Sequence, residues 1–466
     1  MQQQENLTPD KKNGIWGLVD NIKGDKVVWI IVFMLLMISV LSIFSSTSML
    51  AQRTGTDRVA LMKEQIWVTI AGLGIIIGIY KIRRIGLIRW VSQIGFLVSL
   101  CMLIILVGEF DLGFIKADNI NHAVRSLKIG GIQIHVFEIV KVAMVMYISW
   151  AIHTCRQDEE SGEKSQYFRL LNTLGEHPNL KFLKHPFAKR TIYVYIPMIA
   201  ITLMVLSGSN SSGLLMGAVM GTLLLIGRID TKELIFIGAV GICALGIAFG
   251  IYKISDGEIF GRMSTFEHRV SLDTNPERLL RLNTVERRKL LDTIIQPNTA
   301  KQAIYEGGLL GKGPGGSTQK YIVPLMFSDY IFSFILEEYG LWGGLIIIIL
   351  YLSLLARGVW ISKLCESDFA RIAVGGLTVM ITAQAFLHMY INVDMGPLTG
   401  QTLPLVSHGK GAFLSFCVAF GIILSISRMA NKKMRKLEEE VDLLYNTSEQ
   451  AQEEGKNNPE QQNSPE

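Results

Sequence analysis

VVWIIVFMLLMISVLSIFSSTS, residues 27–48, decides the fold class of this chain. The run carries no charge and is long enough to cross a hydrocarbon core, for which about 20 helical residues suffice. Lipid offers no hydrogen-bond partners, so the run must be a helix, whose backbone groups satisfy one another. About 25 polar residues precede it and no small-residue cleavage site follows, so it reads as a retained span rather than a signal peptide.

Nine further apolar runs follow, at 65–81, 90–108, 134–154, 191–207, 211–227, 233–253, 329–355, 370–392 and 411–428. The expected fold is therefore an all-α polytopic membrane protein with ten transmembrane helices and a large extracytoplasmic loop between helices 7 and 8. Composition agrees, since 49% of the 466 residues are hydrophobic and only 18% are charged, which excludes a soluble globular chain. The net charge of +5 does not point to nucleic acid, because the basic residues are scattered through short loops. Lys23 and Lys26, then Lys81, Arg83, Arg84 and Arg89, then Lys181, Lys184, Lys189 and Arg190 all fall on one side of a ten-span chain. Arg357 and Lys363, and the cluster from Arg428 to Lys436, fall on that side too. Short basic loops stay cytoplasmic, so both termini are expected inside a bacterial inner membrane; Arg53, Arg58 and Lys63 are the opposing charges. The expected segments are a cytoplasmic 1–26, helices 1–7 over 27–253, the outer loop 254–328, helices 8–10 over 329–430, and a largely disordered cytoplasmic tail 431–466. No cysteine pair sits where a disulfide is expected, and no Cys and His spacing resembles a zinc site.

The polar stretch Gly261–Glu338 is where chemistry can meet water. It reads GRMSTFEHRVSLD (261–273), a charged insert Thr274–Leu291, then AIYEGGLLGKGPGGSTQK (303–320) and an apolar run ending at Glu337-Glu338. Asp273 is a candidate general base beside Arg262, and Asp292 competes because the insert blurs the register. The glycine-rich run is not a nucleotide loop, since Lys312 is followed by Gly313. It reads either as a flexible outer loop or as an anion site served by Lys312 and Lys320. Glu337 and Glu338 are adjacent on a helix, about 100° apart, so only one is expected to face a cavity. Asp329 reads as a helix cap. Glu138 and Lys141, i and i+3 on the fourth span, form an ion pair that is either structural or substrate-facing, with Arg125 just outside.

Several segments in fixed order resemble the SEDS family (shape, elongation, division and sporulation). They are NHAVR (121–125), FEIVK (137–141), RMSTF (262–266), AIYEGGLLGKG (303–313), GSTQK (316–320), DYIFSFILEEYGL (329–341) and TGQTLPLVS (399–407). The resemblance implies a peptidoglycan glycosyltransferase that polymerises lipid II during wall synthesis, with the division type favoured. It implies an essential aspartate, Asp273 with Asp292 as competitor. The implied substrate-binding set is Arg125, Glu138, Lys141, Arg262, Lys312, Gln319, Lys320, Asp329, Glu338 and Ser407. Departures are the insert, Phe327-Ser328-Asp329 in place of a His-Thr-Asp triplet, SNSSG (209–213) in place of a Pro-Asp-Leu-Gly-Thr turn, and SHGKG (407–411) in place of Ser-Tyr-Gly-Gly-Ser.

The expected partners are lipid II, the growing glycan strand, membrane lipids, a class B penicillin-binding transpeptidase and other division proteins, and no nucleic acid. A divalent cation, Mg or Mn, is the expected cofactor, with no organic one. A lipid II flippase and a non-catalytic scaffold of the division complex are the rival readings; neither requires Asp273 as a base.

Overall fold

The apolar runs fold into helices that cross one another in a single bundle, and the computed structural model describes residues 23–111, 113, 115–120, 123–129, 132–161, 166–255, 284–323, 325–396 and 399–431. In chain order these form α1 (Lys26–Ser46), the short α2 (Ser48–Thr54), α3 (Arg58–Tyr80) and α4 (Ile85–Val107). Strands β1 (Ile115–Ile120), β2 (Ala123–Ile129) and β3 (Ile132–His135) lead into α5 (Val136–Ser161). Then come α6 (Pro186–Gly208), α7 (Asn210–Ile226), α8 (Thr231–Ile254), α9 (Thr284–Gly307), α10 (Ile331–Leu364), α11 (Asp368–Asn392) and α12 (Lys410–Asn431).

Among the described residues nine of these helices, all but α2, α7 and α9, are long and apolar enough to cross a membrane. The expected span 211–227 corresponds to α7, which is apolar but only 17 residues long. Burial separates centre from rim: 83% of the spanning window of α5 is buried and 78% of that of α11, against 11% for α8. Ile235, Phe236, Ile242 and Ile247 of α8 accordingly face outward, as suits lipid.

Strand β1 pairs antiparallel with β2, and β2 with β3, in the registers Ile115↔Ile129 and Lys128↔Gln133. This small sheet is an addition to the otherwise helical membrane fold that the sequence predicts. Its cause is local: Ile132-Gln133-Ile134-His135 alternates apolar and polar, the period of a half-buried strand and not of a helix.

One end of the bundle is tied by charge: Asp25 caps α1 through the amides of Val27 and Val28 and pairs with Arg357 of α10. Arg156 of α5 likewise pairs with Asp368 of α11. At the opposite end α10 is broken, and the break positions the candidate site. Gly340 adopts φ 67°, ψ −169°, a conformation open almost only to glycine. The carbonyls released by the break accept from the preceding loop: Lys312 N–H donates to Glu337 O at 2.9 Å and Gly313 N–H to Glu338 O at 2.9 Å. A Cβ on Gly340 would stand 2.3 Å from Leu309 O, and one on Gly311 2.3 Å from Glu338 O. Glycine is required in this run because two backbones touch.

Candidate functional site

Three features stand out, the first of them at the end of the bundle that carries the Gly340 break. The first is a charged clamp. Glu337, fully buried, accepts from Lys312 Nζ at 2.7 Å, from Ser317 Oγ at 2.5 Å and from Thr318 N–H at 2.8 Å. Glu338 accepts from Ser45 Oγ of α1 at 2.5 Å, and Lys320 Nζ lies 3.5 Å from it. Lys320 also donates to Gly315 O at 2.8 Å and to Ser45 Oγ at 3.1 Å. Both glutamates therefore reach one loop, residues 311–320, although they are adjacent in sequence. They can do so because the loop wraps the end of α10 and is pinned there by the break. Both carboxylates are thus buried in pairs with that loop.

Lys312 also pairs with Glu306 at the end of α9. Hydrogen bonds from Lys312, then Gln302 and Gln319, hold the Glu306 carboxyl down at about 2. Burial works against the Lys312 ammonium, but its bonds to Glu306 and Glu337 outweigh that and raise its pKa.

The second feature is a row of buried polar side chains through the middle of the bundle. Lys141, 2% exposed, donates to Glu138 Oε1 at 2.8 Å and to Gln384 Oε1 at 2.5 Å, with Gln401 Oε1 at 3.4 Å. Gln401 donates in turn to Ser212 Oγ at 2.8 Å, and its carbonyl oxygen lies 2.7 Å from His388 Nδ1. Asn392 donates to the Asp329 carbonyl at 3.0 Å and accepts from Ser333 N–H at 3.0 Å. Each bond offsets part of the cost of burying a polar group away from water. Glu138 Oε2 is buried with no hydrogen-bond partner among the described residues.

The third feature is an apolar groove of about 1060 Å³ between α3, α4, α5 and α12, walled by residues such as Ile75, Val91, Ile139, Val142, Leu414 and Val418. Gln133 and His135 of β3 and His408 and Lys410 line its polar end. His408 Nδ1 lies 3.1 Å from Gln65 Oε1, and its ring stands edge-on to Phe327. Burial lowers the His408 pKa, opposed by Glu64 and reinforced by Lys410.

A helical bundle with this ordered set of motifs is matched over residues 25–432 by the family model described as cell cycle protein, FtsW/RodA/SpoVE. The chain belongs to the FtsW/RodA/SpoVE family. It is 28% identical over 433 residues to the probable peptidoglycan glycosyltransferase FtsW of Enterococcus hirae, covering 90% of this chain and 97% of that one. Two solved structures share the fold. One, at TM-score 0.57 and 16% identity, comes from a study of how a peptidoglycan synthase complex coordinates polymerization and crosslinking, and covers 87% of this chain and 98% of that one. The other is a mutant of the Thermus thermophilus rod shape determining protein RodA, at TM-score 0.53 and 16% identity, covering 87% and 97%.

In this FtsW/RodA/SpoVE chain the predicted site residues divide into three groups. Asp273 and Arg262 lie outside the described residues. Asp292 falls on α9 and Arg125 on β2, and the side chains of both are likewise outside them. Lys312, Gln319, Lys320 and Glu338 do come together, but as the clamp. Lys320 and Glu338 are 2% and 1% exposed, so an arriving anion would have to break a buried pair, at a cost of about 3–5 kcal/mol. Ser407 is buried and donates to the Ser328 carbonyl at 2.8 Å, tying the 399–408 loop to the turn before α10. Asp329 does not cap α10, because Tyr330 is the N-cap and the helix begins at Ile331, and the Asp329 carboxylate accepts from Ser328 Oγ at 2.9 Å.

Gln384, His388, Asn392 and Gln401 were not singled out from sequence. The signal was present, since Gln384, His388 and Asn392 recur every fourth residue of one span and so share a helix face. Among the described residues no group of three His, Cys, Asp or Glu side chains sits where it could hold a metal ion, and no step below is routed through one.

Proposed function

We propose that this chain is a peptidoglycan glycosyltransferase that polymerises lipid II into glycan strands at the outer face of the bacterial inner membrane. The observation that carries the reading is the apolar groove whose polar lining, His408 and Lys410, follows the loop that Ser407 and His408 tie to the turn before α10, the helix that carries the clamp. An amphipathic donor needs both, an apolar slot for a polyprenyl tail and a polar end where its sugar meets water. Family membership supplies the reaction class, because the Enterococcus hirae relative is named for that activity.

The acceptor sugar hydroxyl loses its proton to Asp273, its oxygen attacks the anomeric carbon of the donor, and the bond from that carbon to the pyrophosphate breaks. Undecaprenyl pyrophosphate leaves. A single displacement with no enzyme nucleophile inverts the anomeric carbon. Asp292 is the competing base.

Both termini are cytoplasmic in this reading, supported by the basic residues at the tied end, among them Arg357, Arg156, Lys189 and Arg190. A class B penicillin-binding transpeptidase is the expected partner, and the division machinery the expected setting. The likeness to a chain studied in a peptidoglycan synthase complex supports the first, and the FtsW name of the Enterococcus hirae relative the second.

The test is polymerisation of purified lipid II by the full chain purified with its transpeptidase, read as glycan length on a gel. Glycan strands are expected. No strands together with passage of lipid II across liposomes would make the chain a flippase, and neither outcome would leave the scaffold.

A further inference from the structure

We propose that Lys410, at the polar end of the apolar groove, is the residue that binds the pyrophosphate of the lipid substrate, exchanging Glu64 for it. This rests on the reading that the groove holds the polyprenyl tail. Lys410 is the one lysine or arginine among the described residues that line the groove, and it lies there beside His135 and His408.

Among the described side chains, the three other lysines assigned to substrate binding are held elsewhere. Lys141 lies among Glu138, Gln384 and Gln401, Lys312 between Glu306 and Glu337, and Lys320 against Glu338, Ser45 and Gly315. Lys410 differs from them in exposure. Its side chain is 59% exposed, and its partner Glu64 on α3 is itself 35% exposed. A pair so open to water is weakly held and gives way readily to a doubly charged anion, which supplies more acceptor oxygens than one carboxylate.

Geometry places the charge where the tail would end. The groove runs beside α3 and α4 to Ile82 and Ile88, so a chain lying in it brings its headgroup to the end lined by Gln133, His135 and Lys410. His408 is fixed there through Gln65, whose amide donates to Ser39 of α1 at 3.1 Å. The mouth is thus braced from α1 and α3, while Lys410 itself is exposed enough to change partner.

The experiment uses the full chain in nanodiscs of neutral phosphatidylcholine, with two probes of the same tail, undecaprenyl pyrophosphate and the uncharged undecaprenol. Wild type should bind the pyrophosphate more tightly. Lys410→Ala should lose about tenfold of that affinity, the size of one charge-assisted hydrogen bond, and Lys410→Arg should keep most of it. Undecaprenol binding should not change in either variant, which also shows that both are folded. An unchanged preference in Lys410→Ala overturns the assignment while leaving the groove reading intact. Loss of binding when phosphatidylglycerol replaces phosphatidylcholine makes the seat a general one for anionic lipid headgroups, and also overturns it. If neither probe binds wild type, the groove reading itself fails and takes this assignment with it.

Discussion

Replacing Lys320 with Met separates the two roles that its position allows, a clamp inside the fold or a contact for an arriving anion. The ammonium is 2% exposed and has three partners: Gly315 O at 2.8 Å, Ser45 Oγ at 3.1 Å and Glu338 at 3.5 Å. Its loss leaves Glu338, 1% exposed, with donors only from Ser45 Oγ and Ser317 N–H, and with Oε2 already unpartnered. Removing one member of such a buried pair costs about 3–5 kcal/mol, because the other charge stays desolvated and uncompensated. Replacing both members by apolar groups of similar volume is often neutral. We therefore expect Lys320→Met to melt well below wild type in detergent, and Lys320→Met with Glu338→Met to recover most of that loss. The assay is thermal unfolding of the four proteins of the cycle, read beside protease protection of the 311–320 loop. A Lys320→Met variant that melts like wild type, or single effects that simply add, would refute the clamp and return Lys320 to the role of anion contact.

Two further outcomes follow from the same geometry. Lys141→Met should destabilise by a similar ~3–5 kcal/mol, since Glu138 loses the cation that Lys141 supplies, and pairing it with Glu138→Gln should restore the melting temperature. If polymerisation returns with stability, the pair is structural; if it stays lost, the pair touches substrate. The Glu306–Lys312 contact sets a pH window: a folded pKa of about 2, below the ordinary 4.5, means its contribution is complete above pH 4.5 and lost as pH falls toward 2. Lys312, whose pKa is raised, stays charged throughout that range. Protection factors in the 308–320 loop, with exchange corrected for its intrinsic pH dependence, should therefore fall between pH 4.5 and 2 in wild type and stay flat in Glu306→Gln.

How much of this was legible in the sequence depends on what kind of signal each part carries. The spans were legible because a charge-free run such as 27–48 has only one stable form in lipid. The sheet before α5 was missed although Ile129-Gly130-Gly131-Ile132 carries a hairpin signal between alternating residues, because length and hydropathy dominate the reading of a membrane chain. The clamp was half legible. Lys312, Lys320 and Glu338 were singled out, but their mutual pairing depends on the broken helix at Gly340, and a glycine within an apolar run does not announce a break. The polar row escaped for a different reason. Gln384 and Gln401 are uncharged, and a search for ionisable residues in spans passes over amides even where they hold a lysine in place.

The catalytic aspartate is the point on which the account of the reaction turns. The most direct measurement is glycan polymerisation from purified lipid II by the full chain with its transpeptidase partner, comparing Asp273→Ala and Asp292→Ala with wild type. The account predicts loss of strand synthesis in Asp273→Ala, by about 100-fold or more if a general base is removed, and near-normal synthesis in Asp292→Ala. Full activity in Asp273→Ala would contradict it, and activity lost only in Asp292→Ala would move the base to α9.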